Sequence, residues 1–298
     1  MEFPAEILLA TDGSEDAARA ARVAADLSKR TGAHLHVVHV WQPLPRGAAS
    51  GDYWEYVYSG SEQAASMLLD EQVASIGEAG AQVAGTRLAE GSPVERILDV
   101  ADEVGAGMVV VGSWGLGQLG RLVLGSVSER IVHHADRPVL VVRGGEDAWP
   151  PKEIVAGDDG SEAAKSAGEL AASIGKLFER RVILVRAGRE PKRPPELPGY
   201  EQSMYERLIA DYSRREELDL ERRADELEKL VGLRPETRFA VDDAAAAILA
   251  AAGEDPTTLV AVGSRGLGVA RRAILGSVST KVARSASGSV LICPRREG

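Results

Sequence analysis

The chain has 298 residues, 44% hydrophobic and 27% charged, which suits two globular domains that each bury their own core and excludes a disordered polymer. A formal net charge of −10 argues against a nucleic-acid partner, since a phosphate backbone needs a basic surface, and no apolar run reaches the ~18 residues of a membrane span. Cys293, the single cysteine, excludes an intramolecular disulfide and a multi-cysteine zinc site, and with no signal-like start at Met1–Glu6 a cytoplasmic protein is expected.

In chain order, the first predicted strand is the short apolar run Ile7–Thr11. Asp12-Gly13-Ser14 follows, with Ser14 as N-cap of an alanine-rich helix over Glu15–Arg30 and Gly32 as its stop. A strand at His34–Val40 comes next. Trp41–Tyr58, with its prolines, glycines and aromatics, reads as a loop near the strand ends. A helix around Glu62–Ala79, a strand near Gln82–Leu88 and a helix over Pro93–Glu103 lead to the all-apolar strand Met108–Val111. A helix over Ser126–His134 and a strand at Val139–Val142 complete the first half.

Glycines and prolines from Gly144 to Pro151 mark a linker, set at 146–152 between domains at 1–145 and 153–298. The second half repeats the order, with strands near Ile154–Gly157, Arg181–Val185, Thr237–Ala240, Leu259–Val262 and Val290–Cys293. Its second helix, about Glu201–Leu230, mixes both charges, which predicts a solvated face with local ion pairs; its length also suits a lid or a partner surface. The negative charge is uneven: 11 Lys+Arg against 21 Asp+Glu up to Asp147, then 24 against 24 from Ala148 onward. Short apolar strands alternating with helices predict an α/β protein of two tandem doubly wound domains. Each would be a five-stranded parallel sheet, order 3-2-1-4-5, flanked by helices.

The duplication is visible residue by residue. ILLATDGSE from Ile7 recurs as IVAGDDGSE from Ile154, and GSWGLGQLGRLVLGSVS from Gly112 recurs as GSRGLGVARRAILGSVS from Gly263. Eleven of those 17 aligned positions are identical. In the predicted topology strands one and four are neighbours and a crevice opens at their carboxyl ends. Asp12 and Gly112 therefore converge there despite lying 100 residues apart, as do Asp159 and Gly263.

The glycine-rich segments suit an anion. Gly112, Gly115 and Gly117 lack a Cβ and let the backbone turn and present N–H groups. Gly125, Ser126, Val127 and Ser128 open a helix whose free N–H groups and dipole favour phosphate, with hydroxyl donors at Ser126 and Ser128 and a nearby Arg121. Gly263, Gly266, Gly268, Arg272, Gly276, Ser277, Val278 and Ser279 repeat the set. Gly115 to Gly120 formally matches the dinucleotide fingerprint G-x-G-x-x-G, but it follows the fourth strand and its third glycine is Arg271 in the other copy. The Walker pattern is absent from the sequence.

These residues resemble the universal stress protein family, whose ATP-binding members carry G-2x-G-9x-G-[ST]. The match is Gly112, Gly115, Gly125 and Ser126, and again Gly263, Gly266, Gly276 and Ser277, with Asp-Gly-Ser turns at Asp12 and Asp159. The resemblance implies ATP or another adenine nucleotide as ligand, with or without magnesium, and pairing of the domains through their last strands, with a homodimer as an option. It implies nucleotide contacts for Asp12 and Asp159, and for the backbone at Val40 and Ala187, which end the second strands. The copies differ. Gly91-Ser92-Pro93 fits the family turn, whereas Asp242-Asp243-Ala244 brings two carboxylates to the pocket mouth, to cap the next helix or to repel a nucleotide. Trp114 stands where the other copy has Arg265.

No single histidine site is expected: His34 and His36 share one strand face, His39 the other, and His133 and His134 lie at a helix end. The expected function is an adenine-nucleotide-dependent binding module of the stress response, with unidentified protein partners. The alternatives are a slow ATPase or nucleotide transferase using the same pockets, or a dimerisation scaffold with one or both of them empty. No catalytic residue is assigned, because Asp12 is the one evident acidic candidate and its expected place is nearer the sugar or metal.

Overall fold

A computed structural model describes residues 3–42, 52–114, 124–188, 202–266 and 275–295. The chain divides into two compact units between Trp149 and Pro150. The first unit holds strands β1 (Glu6–Thr11), β2 (His34–Trp41), β3 (Val83–Glu90), β4 (Met108–Gly112) and β5 (Val139–Val142). Its helices are α1 (Glu15–Thr31), α2 (Asp52–Glu78), α3 (Pro93–Glu103) and α4 (Ser126–His134). The strands are all parallel and ordered β3-β2-β1-β4-β5. In the second unit β6 (Glu153–Gly157), β7 (Arg181–Gly188), β8 (Glu236–Val241), β9 (Thr258–Gly263) and β10 (Val290–Cys293) run in the order β8-β7-β6-β9-β10, again parallel. Helices α5 (Glu162–Phe178), α6 (Gln202–Val231), α7 (Ala244–Ala252) and α8 (Ser277–Ser285) accompany it.

Central strands need apolar residues at every position because helices cover both faces. Ile7, Leu8 and Leu9 on β1 and Met108, Val109 and Val110 on β4 are fully buried, as are Ile154, Val155 and Ala156 on β6. Helix α1 packs on α2, and α3 on α4; α5 packs on α6, and α7 on α8. Alanines at 17, 20, 21, 24 and 25 let α1 lie close to the sheet. Ser14 Oγ accepts the Ala17 N–H at 3.2 Å, and Gly32, at φ 76°, ends the helix in the left-handed conformation.

The structure departs from sequence expectation in two places. Helix α2 starts at Asp52, ten residues before the predicted Glu62; between Asp52 and Gly60 there is no proline to stop it, and the aromatic content had suggested a loop. The rest of that expected loop, 43–51, lies outside the described residues. The expected linker is partly built into the first unit: Glu146–Ala148 forms a 3₁₀ turn, Arg22 pairs with Glu146, and Trp149 Nε1 donates to Asp26 at 2.9 Å. Helix α6 has the expected solvated face with local ion pairs, Arg222 with Asp219 among them, and a buried face as well. Leu220, Ala224, Leu227 and Val231 form a buried stripe at helical spacing, and Arg223 is buried beside it. No helix among the described residues is long and apolar enough to cross a membrane.

Candidate functional site

Strand β1 runs into the Asp12-Gly13-Ser14 turn, where Asp12 Oδ1 accepts the Ser14 N–H at 3.0 Å. Gly13 sits at φ 77°, a conformation that favours glycine, and a Cβ there would also have to displace the Leu68 side chain of α2, 2.6 Å away at Cδ1. The second unit repeats the turn: Asp159 Oδ1 accepts the Ser161 N–H at 3.0 Å and Gly160 is at φ 78°. The other carboxylate oxygen of Asp159 lies against Gly266, where a Cβ would collide with it. The strand-one aspartate and the loop glycine, distant in sequence, therefore meet.

Gly112 and Gly263 have a packing reason as well as the expected turning one. A Cβ on Gly112 would lie 2.8 Å from the Asp16 carbonyl carbon, and one on Gly263 would lie 2.7 Å from Ala164 N. The first turns of α1 and α5 thus press directly on the ends of β4 and β9. Gly115, Gly117, Arg121, Gly268 and Arg272 lie outside the described residues.

At the far end of the loop, Gly125 N–H donates to the Ser113 carbonyl at 2.8 Å and Gly276 N–H to that of Ser264 at 2.8 Å. Gly125 and Gly276 are the N-caps of α4 and α8, and neither offers a side-chain acceptor. Helices α1, α5 and α7, by contrast, are capped by Ser14, Ser161 and Asp243. The first-turn N–H groups of α4 and α8 are therefore left with no side-chain cap, in the arrangement that suits an anion. The expected hydroxyl donors divide. Ser126 and Ser277 are exposed, but Ser128 donates to Gly112 O at 2.7 Å and Ser279 to Gly263 O at 2.5 Å. Those two protons fasten helix to strand rather than point at a ligand.

In the first unit these parts enclose a cavity of about 320 Å³. Ala10, Val40, Ile97, Val111 and Ile131 make its apolar wall; Thr11, Asp12 and Ser126 supply polar groups, and Gly112 and Gly125 bare backbone. Val127, Ser128 and Trp114 also line it. Seven residues singled out from sequence (Asp12, Val40, Gly112, Gly125, Ser126, Val127 and Ser128) thus share one cavity. The apolar wall from α3 was not foreseen; its signal was the helical spacing of Val94, Ile97 and Ala101, all buried.

In the second unit Asp159, Gly263, Gly266, Gly276, Ser277, Val278 and Ser279 occupy equivalent positions, and Ala187 is penultimate on β7 as Val40 is on β2. The surroundings differ. Thr11 donates to Gln72 of α2 at 3.2 Å, whereas its counterpart Asp158 takes Arg186 Nη2 on one oxygen and has Arg223 Nε 3.8 Å from the other. Side-chain exposures of 2%, 10% and 9% for Asp158, Arg186 and Arg223 make this a buried ionic cluster beneath the turn. Gly157 replaces Ala10, and Ile248 Cδ1 lies 2.5 Å from where a Cβ would be, so Ile248 leans onto the sheet. Asp243 caps α7 through the Ala246 N–H at 3.1 Å. The Lys281 ammonium 3.0 Å away, helped by that cap, holds its carboxyl below the usual carboxylate range. Capping, then, is what Asp243 does.

The histidines do not converge on the cavity. His34 and His36 bind opposite oxygens of Glu6 at 2.8 and 2.7 Å, and His39 Nδ1 lies 2.8 Å from Thr11 O. Among the described residues no group of three His, Cys, Asp or Glu side chains is arranged to hold a metal ion.

Comparison with known proteins places this architecture. The model of the universal stress protein family matches residues 5–143 and again 151–294. A universal stress protein of Mycolicibacterium smegmatis is 29% identical over 302 residues, covering 96% of each chain. The crystal structure of a universal stress protein from Archaeoglobus fulgidus superposes with a TM-score of 0.69 at 23% identity, covering 98% of this chain and 97% of that one. A solved universal stress protein in complex with cAMP is 25% identical, covering 47% of this chain and 96% of its own, with a TM-score of 0.37. With both halves matched by the family model, the chain belongs to the universal stress protein family as a tandem, two-domain member.

Proposed function

We propose that the first-unit cavity binds an adenine nucleotide, ATP in the first instance, and that occupancy of this pocket is what the protein communicates to its partners. The observation that carries the reading is the uncapped start of α4 opening on a cavity with an apolar wall and one carboxylate. The wall of Val40, Ile97 and Ile131 suits a flat base, and Asp12 offers an acceptor to ribose hydroxyls. The N–H groups of Ser126, Val127 and Ser128 suit phosphate oxygens. A magnesium ion accompanying the phosphates would meet Asp12, which is enough for an ion that keeps several waters. Among the described residues lining the cavity Asp12 is also the sole acid, and its Oδ1 already accepts the Ser14 N–H, which favours an acceptor's role over that of a general base.

The test is direct. Protein purified without added nucleotide is denatured and its supernatant analysed by mass spectrometry, and the same preparation is titrated with ATP by calorimetry. Adenine nucleotide in the supernatant or a saturable ATP isotherm is expected, with the first-site signal lost in Val40→Trp, whose ring fills the cavity. Absence of both would overturn the proposal.

A further inference from the structure

Resting on the nucleotide reading of the first unit, we infer that Asp16 is a positioning residue that holds the entry of the first phosphate loop in place. The two loop entries, Ser113-Trp114 and Ser264-Arg265, share three fastenings. Ser113 N–H donates to Val142 O at 2.9 Å, and Ser264 N–H to Cys293 O at 2.7 Å. The carbonyls of Ser113 and Ser264 accept Gly125 and Gly276 N–H. Ser14 Oγ reaches Trp114 O at 3.4 Å, and Ser161 Oγ reaches Arg265 O at 3.2 Å.

The first unit adds two bonds to this set. Asp16 Oδ2 accepts the Ser113 hydroxyl at 2.6 Å and the Trp114 N–H at 2.9 Å. Both cross from the first turn of α1 to the end of β4, at sequence separations of 97 and 98 residues. Ala163 stands at the equivalent place in α5 and has no side-chain atom that can accept either bond. The charge of Asp16 is met within the protein: its Oδ1 pairs with Arg19, and it acts favourably on the buried Arg143 guanidinium, whose pKa burial lowers. An anionic ligand therefore meets a neutralised carboxylate. Fixing the loop entry before binding reduces the conformational freedom that phosphate binding must remove, so Asp16 acts on the phosphate end of the ligand and not on the base.

The full-length chain is titrated with ATP and with adenosine, as wild type, Asp16→Ala and Asp16→Asn. Backbone amide exchange at Trp114 is followed in the ligand-free proteins. With two charge-assisted hydrogen bonds removed, Asp16→Ala is expected to weaken ATP binding about tenfold and leave adenosine within about twofold. Asp16→Asn keeps ATP binding near wild type, since one amide oxygen can accept both bonds. Trp114 exchange should be faster in Asp16→Ala alone. Equal losses for ATP and adenosine, or no loss for ATP, would overturn the inference. If the wild type binds no ATP, the nucleotide reading fails by itself and the exchange data decide: unchanged Trp114 exchange in Asp16→Ala refutes the positioning role, and faster exchange upholds it.

Discussion

Ser128 Oγ donates to the carbonyl oxygen of Gly112 at 2.7 Å, sixteen residues back along the chain, and so ties the first turn of α4 to the last residue of β4 beneath the loop. Ser279 and Gly263 form the same tie at 2.5 Å in the second unit. The carbonyl is buried with its strand, so removing the hydroxyl leaves an acceptor without its donor. Ser128→Ala is expected to lower the stability of the first unit by about 1–2 kcal/mol, read as a lower urea midpoint. An unchanged midpoint would mean that water replaces the hydroxyl.

Gly112 and Gly263 test the close approach of helix to strand. In Gly112→Ala the new methyl would lie 2.8–3.0 Å from the backbone of Asp16 and Ala17, which cannot rotate away. Displacing α1 should cost about 1–3 kcal/mol, typical of overpacking, and should weaken nucleotide binding too, because the Asp12 turn leads into the same helix. Thermal unfolding and an ATP titration of one preparation measure both. A variant with wild-type stability would show that α1 sits further from β4.

The ionic cluster of the second unit should respond asymmetrically to mutation. Arg186→Met leaves the Asp158 carboxylate, 2% exposed, with the more distant Arg223 and the Gly160 N–H as partners, and a loss of about 3 kcal/mol, the low end for breaking a buried pair, is expected. The double variant Asp158→Asn with Arg186→Met should recover much of that loss, since neither charge is then stranded. Chemical denaturation of the wild type, the single variant and the double variant gives the comparison. A double variant as unstable as the single one would show that the cluster's geometry, rather than its charge balance, holds the turn.

Acid should act through Glu6. The hydrogen bond from His34, joined by that from His36 and by their charges, holds the Glu6 carboxyl below the usual carboxylate range. A depressed folded-state pKa stabilises the fold at pH values above the ordinary carboxylate pKa, about 4.3, and that contribution is lost as pH falls through the depressed value. The stability difference between wild type and Glu6→Gln should therefore shrink as the pH falls below about 5 and through the depressed Glu6 value. Denaturant titrations at a series of pH values measure it, and a difference that widened in acid would reverse the assignment.

Much of this architecture was legible without coordinates. The alternation of short apolar runs with helices required a parallel sheet, and the recurrence of the Asp-Gly-Ser turn and of Gly112–Ser128 announced two copies. Other features were not legible. The prolines, glycines and aromatics of Trp41–Tyr58 hid the start of α2, because the first two break helices and aromatic residues carry no sharp helix signal. In α6 the run of charges masked the stripe from Leu220 to Val231 that buries Arg223. Asp16 carries no sequence signal of its role, since an acidic residue in the first turn of a helix is ordinary and the other copy has Ala163 in its place.

What the sequence determined by itself is the duplication, read from two recurring segments, and the strand order and convergence of each aspartate turn with its glycine-rich segment, which follow from the alternation of strands and helices and the topology of doubly wound sheets. What tertiary structure alone decided is where each side chain's hydrogen bonds go. Gly112 is required by the backbone of α1, Ser128 gives its proton to a strand carbonyl, and Asp16 holds Ser113 and Trp114. Such partners lie 16 to 98 residues apart, and the donors and acceptors of a residue are matched by packing in space, which no local pattern records.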